Sequence, residues 1–286
     1  MKFHNPNASV FIPDGTAAGE ALWKVSHLGV GAHQDDLEIM AFHGIAKCFN
    51  SRDLRFGAVT CSNGGGSPRA GEYASYSDED MAALRRREQE KAAILGNYGA
   101  LVQLNYASAA VKNVQDGHLR DDLVRILKAS KPEVVYTHNP ADKHDTHVAV
   151  GLTALAAIRE VPPPDRPKVV YGCEVWRNLD WMSDEDKVPL DVGAREGLSM
   201  ALIGVYDSQV AGGKRYDLAT LGRRRANATY FQAHETDQAE QLWFAMDLTP
   251  LIKDDALDVQ DFVLGHIDKF RRDVADKIRK YSVRKG

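Results

Sequence analysis

The chain has 286 residues, 44% of them hydrophobic and 27% charged, which is ordinary globular composition with length for one large core or two modest ones. One domain over 1–286 is expected, with a core at about 25–175 and helices and loops of 176–286 completing it. The formal charge of −4, with basic residues spread along the chain, leaves no electrostatic footprint for nucleic acid or an anionic membrane. No stretch approaches the roughly 18 apolar residues that a membrane span needs. The opening Met1-Lys2-Phe3-His4-Asn5-Pro6 lacks the apolar run of a secretory signal. Cys48, Cys61 and Cys173 are odd in number, far apart and without metal-ligand spacing. Buried free thiols in a reducing, cytoplasmic compartment are therefore expected; homo-oligomerisation is left open.

Apolar runs bounded by turn residues alternate with amphipathic segments, the pattern of β-α units around a mainly parallel sheet. A Rossmann-like three-layer α/β/α fold is therefore expected. His27 to His33 reads as the first strand and Asp36 to Phe49 as a helix facing the sheet with Ile39, Met40, Phe42 and Ile45. Phe56 to Cys61 is a second strand, and Ser62 to Pro68, with three glycines, is loop. Ser77 or Asp78 caps a helix that runs to Leu95 and stops at Gly96. A third strand follows at Leu101 to Leu104, then a helix over Asp121 to Ala129 that Lys131-Pro132 ends before the strand Val134 to Thr137. A helix over about His147 to Ile158 and a strand at Val169 to Tyr171 come next, joined by the stiff Pro162-Pro163-Pro164 connector. Beyond Trp176 the periodicity weakens: Tyr206 to His234 reads as helices and loops, and Asp255 to Tyr281 as a terminal amphipathic helix broken near Gly265.

Two segments carry the chemistry. The first strand ends in Ala32-His33-Gln34-Asp35-Asp36-Leu37-Glu38, an imidazole and two adjacent carboxylates on a strand-to-helix turn, where open α/β sheets bind ligands. The strand at Val134 ends in His138-Asn139-Pro140-Ala141-Asp142-Lys143-His144-Asp145-Thr146-His147. Together they supply the nitrogen and oxygen donors of a three-ligand catalytic zinc site with one open position. Taken singly, paired aspartates at a helix start are more often a cap, and a lone His-x-x-His usually means nothing. Their joint placement after two strands of one sheet favours a metal site.

These motifs resemble the zinc-dependent PIG-L/LmbE-like N-acetylglucosaminyl deacetylases, whose signature is Ala-His-Pro-Asp-Asp-x-Glu and a later His-x-x-His. The resemblance implies His33, Asp36 and His147 as metal ligands, Asp35 as general base, and His144 as the group facing the substrate carbonyl and leaving nitrogen. Arg85-Arg86-Arg87-Glu88, leading to Leu95-Gly96, is similar to the family's Arg-x-x-Glu helix and implies Arg85 as a substrate contact. Tyr206-Asp207-Ser208-Gln209 and Ala239-Glu240-Gln241-Leu242-Trp243 resemble weaker late segments. Gln34 replaces the usual proline, Tyr206 stands where the family often has histidine, and His144-Asp145-Thr146-His147 displaces the aspartate that orients the catalytic imidazole. That supporting role falls to Asp145 or Asp142.

The implied reaction is removal of an N-acetyl group from an N-acetylglucosamine-like sugar or conjugate. The metal supplies an activated water and carbonyl polarisation, and Asp35 takes the proton. Zinc is the expected cofactor, with other divalent metals open; the expected partner is a small aminosugar-type substrate. Gly64-Gly65-Gly66 lets backbone approach a sugar or is simply a flexible loop, Arg69 is a loop contact or a solvated side chain, and Trp176 and Trp181 stack on a sugar or pack in the core. His118, His234 and His266 read as surface or satisfied core residues. The alternatives are a metal-dependent phosphoesterase or other hydrolase, and a sugar-binding protein that has lost turnover.

Overall fold

The computed structural model describes residues 1–283. Its strands are β1 (Ser9–Phe11), β2 (His27–Gly31), β3 (Phe56–Ser62), β4 (Ala100–Tyr106), β5 (Val134–His138), β6 (Val169–Cys173), β7 (Lys187–Asp191) and β8 (Leu242–Asp247). The α-helices are α1 (Ala18–Trp23), α2 (Asp36–Met40), α3 (Phe42–Cys48), α4 (Asp78–Leu95), α5 (Ser108–Lys112), α6 (His118–Ser130), α7 (Asp145–Arg159), α8 (Glu196–Gly204), α9 (Asp207–Val210), α10 (Tyr216–Tyr230), α11 (Thr249–Lys253) and α12 (Val259–Tyr281).

The eight strands form one sheet in the order β1-β4-β3-β2-β5-β6-β8-β7. β4, β3, β2, β5 and β6 are mutually parallel, while β1, β8 and β7 pair antiparallel at the two sides. Burial on both faces explains the near-continuous apolar character of β2 and β3, every residue of which is buried. Leu28 and Val30 point to a core shared with Leu123, Ile126, Leu155 and Ile158 of α6 and α7. On the other face Leu37, Met40, Phe42 and Ile45 pack with Phe56, Tyr136 and Trp243. Glycine is required at position 29 because α2 lies so close: a Cβ there would meet Leu37 Cδ2 at 2.8 Å. The strand order reverses between β2 and β5, and both histidine-bearing segments leave from the carboxyl ends of those two strands. That is the crevice in which doubly wound sheets hold ligands.

The mainly parallel α/β architecture agrees with the sequence reading, and α4 starts where expected, with the Ser77 hydroxyl accepting from the Asp80 amide in a capping box. Four features differ from it. The helix expected over 36–49 is two, because the buried Arg224 guanidinium donates to the carbonyls of Glu38 and Ile39 and ends α2 before Ala41. β7 and β8 were not foreseen; they are short antiparallel strands whose Lys187-Val188-Pro189 start lacks strand propensity. β1 and α1 precede the strand expected to be first. α12 runs unbroken through Gly265, where the glycine meets no neighbouring side chain and costs the helix only about 1 kcal/mol. The three cysteines are free and buried, and burial raises their thiol pKa values, so they are inert packing residues.

Candidate active site

Residues 33–36 make the sharp turn from β2 into α2. Asp35 carries it, with a φ of 93° that is uncommon for a side chain other than glycine, asparagine or aspartate. This backbone directs neighbouring carboxylates differently. Asp36, the first residue of α2, accepts the His33 amide at 2.7 Å and points beneath the turn. Asp35 Oδ2 instead lies 3.1 Å from Arg85 Nη2. Gln34 is buried and donates to the Ser62 carbonyl at 3.0 Å, tying the turn to the end of β3 where a proline could not.

The second segment closes over the first. His33 Nδ1 lies 3.2 Å from His147 Nε2 and 3.4 Å from Asp36 Oδ2, and His147 Nε2 lies 3.3 Å from Asp36 Oδ1. Metal–ligand bonds of about 2.0–2.1 Å in tetrahedral directions separate ligand atoms by about 3.3 Å, the spacing of the two histidine nitrogens from each other and of each from its nearer Asp36 oxygen. Two donor groups meet within 4.8 Å: His33 with His144 and His147, and Asp36 with His138 and His147. His147 belongs to both. Its Nδ1 stands 3.5 Å from Asp142 Oδ2, which sets a carboxylate beside the ring on the side away from His33 and Asp36. Burial pushes the His147 pKa down, yet the Asp36 and Asp142 carboxylates outweigh it and raise the imidazole to about 9. Surroundings so favourable to a proton are favourable to a metal ion.

His138, the last residue of β5, is differently engaged. Its Nε2 accepts the Ala32 amide at 2.9 Å, so the lone pair that would bind a cation is taken. Burial lowers its pKa to about 4, which keeps it neutral. The same Nε2 lies 3.3 Å from Asp36 Oδ2 and, on the neutral ring, donates nothing to it.

Above these groups lies a cavity of about 560 Å³, within the range of small-ligand sites. His33, Asp35 and Asp36 line it beside the His144 ring, which stacks at 6.1 Å on Trp176. Burial lowers the His144 pKa to about 4, with His147 adding to the effect, so at neutral pH the ring is an uncharged N–H donor. Burial, with Asp36 and Glu38 adding charge repulsion, pushes the Asp35 carboxyl up to about 8 despite the Arg85 guanidinium. Arg85 also donates to the Gln34 carbonyl and to Ser67. Gly64, at φ 69°, lets that arginine pass: a Cβ there would sit 2.9 Å from Arg85 Cδ.

Other sequence expectations resolve by contact. Arg85 does line the cavity, but its polar contacts go to Asp35, the Gln34 carbonyl and Ser67. Asp142 lies beside His147, and its carboxylate accepts the His144 backbone amide at 3.1 Å; it forms no hydrogen bond or ion pair with the His144 ring. Asp145 is exposed on the first turn of α7 and supports neither imidazole. Arg69 pins the glycine loop to Gly65 and Asp78, so it is not a free solvated chain. Gly64 and Gly66 line the cavity. Trp176 lines it as well, whereas Trp181 packs against the core. His118 and His234 are exposed and His266 half-buried, away from the site. Glu38 of the first motif is fully buried and accepts from Tyr98 at 2.7 Å and Gln89 at 2.9 Å, a structural carboxylate beneath α2. Ser208 donates its amide (2.9 Å) and hydroxyl (2.6 Å) to Glu88, which docks the late segment on α4. One wall was not foreseen. Tyr216, Thr220 and Arg223 of α10 line the cavity at spacings of four and three, a helical pattern readable in the sequence once that helix is recognised.

Residues 28–158 match the family model PIG-L: GlcNAc-PI de-N-acetylase. No curated protein matches the chain by sequence. The fold is similar to that of the N,N'-diacetylchitobiose deacetylase from Pyrococcus horikoshii, at 18% identity over 80% of this chain and 85% of that one, TM-score 0.60. The conserved protein TT1542 from Thermus thermophilus is 19% identical over 78% of this chain and 94% of its own, TM-score 0.59. GalB, the 4-carboxy-2-hydroxymuconate hydratase from Pseudomonas putida, is 17% identical over 78% and 96%, TM-score 0.60. At such identities the likeness establishes a shared fold, and a deacetylase and a hydratase both stand on it. The motif at the end of β2 and the donors at the end of β5 both lie within the segment, residues 28–158, that matches the PIG-L model.

Proposed function

We propose that the chain is a metal-dependent amidohydrolase that removes the N-acetyl group of an N-acetylglucosamine-like sugar or sugar conjugate. The observation that carries the reading is the meeting of His33 Nδ1, His147 Nε2 and the two oxygens of the Asp36 carboxylate at 3.2 to 3.4 Å, with the adjoining residue Asp35 lining the cavity above them. His33 Nδ1, the Asp36 carboxylate and His147 Nε2 would hold the divalent cation, zinc by the character of the donors. When bound it supplies Lewis-acid activation of the acetyl carbonyl and of water.

The chain's own groups do the rest. Asp35 accepts the proton of the attacking water; its burial gives it the basicity for that task, and Arg85 holds the carboxylate in place. His144 enters as a neutral N–H donor at the carbonyl oxygen as negative charge develops there. The leaving nitrogen must depart as an amine, and the proton captured by Asp35 is the available source, with His144 positioned to relay it. Asp142 keeps His147 oriented throughout.

A second reading, addition of water to a carbon–carbon double bond, is favoured by the likeness to the hydratase, since a base and an activated water would serve it too. The two are separated by incubating the zinc-loaded protein with a panel of N-acetylated aminosugar conjugates and measuring free amine and acetate. Equal amounts of both are expected from at least one conjugate. A fully metallated protein that releases neither, while consuming an unsaturated carboxylic acid, would replace the deacetylase reading by the hydratase one.

A further inference from the structure

Charge is distributed unevenly in the cavity. Its lining contains only two carboxylates, Asp35 and Asp36, both on the floor, against Arg85, Lys112, Lys214 and Arg223. Arg85 is matched by Asp35, and Asp36 by the imidazoles and the cation it is suited to hold. Arg223 donates to the Val175 carbonyl and is partly offset by the charge of Glu174. Lys112 and Lys214 form no ion pair with any carboxylate among the described residues, and neither does Lys143 on the loop before α7. Lys214 and Lys143 nevertheless converge on one indole, 5.2 and 5.9 Å from the Trp176 ring centre. That ring stacks on His144, so two unneutralised ammonium groups stand one aromatic ring away from the reacting end.

Gathering like charges around a cavity costs free energy unless something of opposite sign enters. A divalent cation at the floor makes the potential more positive still. A neutral sugar would gain nothing from this arrangement. We propose that the substrate carries an anionic group, a phosphate or a carboxylate, which Lys214 and Lys143 hold beside Trp176 while the sugar ring spans the distance to His144. The inference rests on the deacetylase reading for where the acetyl group lies, and it selects within that reading a class of acidic N-acetylated aminosugars.

The test compares N-acetylglucosamine, N-acetylglucosamine 6-phosphate and N-acetylmuramic acid as substrates of the zinc-loaded protein, scored by free amine. The expected result is a kcat/KM about tenfold or more higher for one or both acidic sugars than for the neutral one, carried mainly by KM. The phosphate and carboxylate arms identify which anion fits. This preference should fall toward one in a Lys143→Gln/Lys214→Gln double variant and in about 0.5 M salt, which shortens the Debye length to a few ångströms. Lys168→Gln, a surface change paired with Glu133 away from the cavity, should keep it. Equal kcat/KM values for acidic and neutral sugars, or a preference untouched by the double variant, would overturn the proposal and leave deacetylation standing. Release of no amine from any of the three would instead count against the deacetylase reading. Calorimetry with glucosamine 6-phosphate and glucosamine then judges the anion subsite by itself: tighter phosphate binding that the double variant abolishes supports it, and equal binding refutes it.

Discussion

Arg85 Nη2 lies 3.1 Å from Asp35 Oδ2, both side chains being buried, so the arginine of the α4 motif holds the proposed base. Arg85→Met should leave zinc stoichiometry near one and KM within a few fold. It should lower kcat by about 10- to 100-fold, because the base loses its orientation and an already destabilised carboxylate loses its counter-charge. Steady-state kinetics beside a metal assay separates this from a substrate-binding role, which would raise KM and leave kcat.

The lone pair of His138 Nε2 is committed to the Ala32 amide, while that of His147 Nε2 faces His33 and Asp36. His147→Ala should therefore lose zinc almost completely, whereas His138→Gln keeps a zinc per chain and loses stability instead. Asp142→Asn should lie between them, with zinc affinity reduced about 10- to 100-fold. Equilibrium dialysis against a chelator series measures all three. Zinc lost from His138→Gln as fully as from His147→Ala would assign the metal to the Asp36, His138 and His147 group.

Acid should destabilise the fold through His43. Burial lowers its pKa to about 4, helped by the charge of Lys47, and its Nδ1 pairs with the Tyr136 hydroxyl at 2.9 Å. The unfolded chain takes up this proton near pH 6.5 and the folded one near 4, so the folded state binds fewer protons between those values. Stability is full above about pH 6.5 and falls as the pH drops toward 4, by about 2–3 kcal/mol from this residue. Urea titrations at pH 7 and pH 4.5 should show a smaller loss in His43→Phe than in the wild type, by about 2 kcal/mol. An identical pH dependence would clear His43 of the effect.

Glu88 and Ser208 join α4 to the segment that carries Gln209, Lys214 and Tyr216 into the cavity wall. Ser208→Ala strands one oxygen of a buried carboxylate and should cost about 1–3 kcal/mol of stability. It should also raise KM more than it lowers kcat, since the wall moves and the metal residues do not. Thermal denaturation and steady-state kinetics read the two effects.

The parallel core was legible because β2, β3, β5 and β6 are apolar runs punctuated by turns, and both motifs sit where such strands end. The cap of α4 could be read locally, at Ser77 or Asp78. Arg224 could not: its influence on residues 38 and 39 crosses 186 and 185 positions of chain, and no local pattern announces it. The β7–β8 pair escaped for a local reason, since β8 begins inside the Ala239 to Trp243 stretch read as a motif and Lys187 to Asp191 contains a proline. In the site, His33, Asp35, Asp36, His144 and His147 come together as the motif spacing suggests. What spacing could not reveal was which carboxylate serves which ring, because Asp142 reaches His147 through the fold of the loop and Asp145 is turned to solvent.

The most direct test of the account is zinc binding and amine release measured together on Asp35→Asn. With the cation held by the neighbouring residue and by two histidines, the variant should bind zinc with stoichiometry near one and deacetylate at least about 100-fold more slowly than the wild type. Full zinc occupancy with undiminished amine release would contradict the assignment of Asp35 as the base.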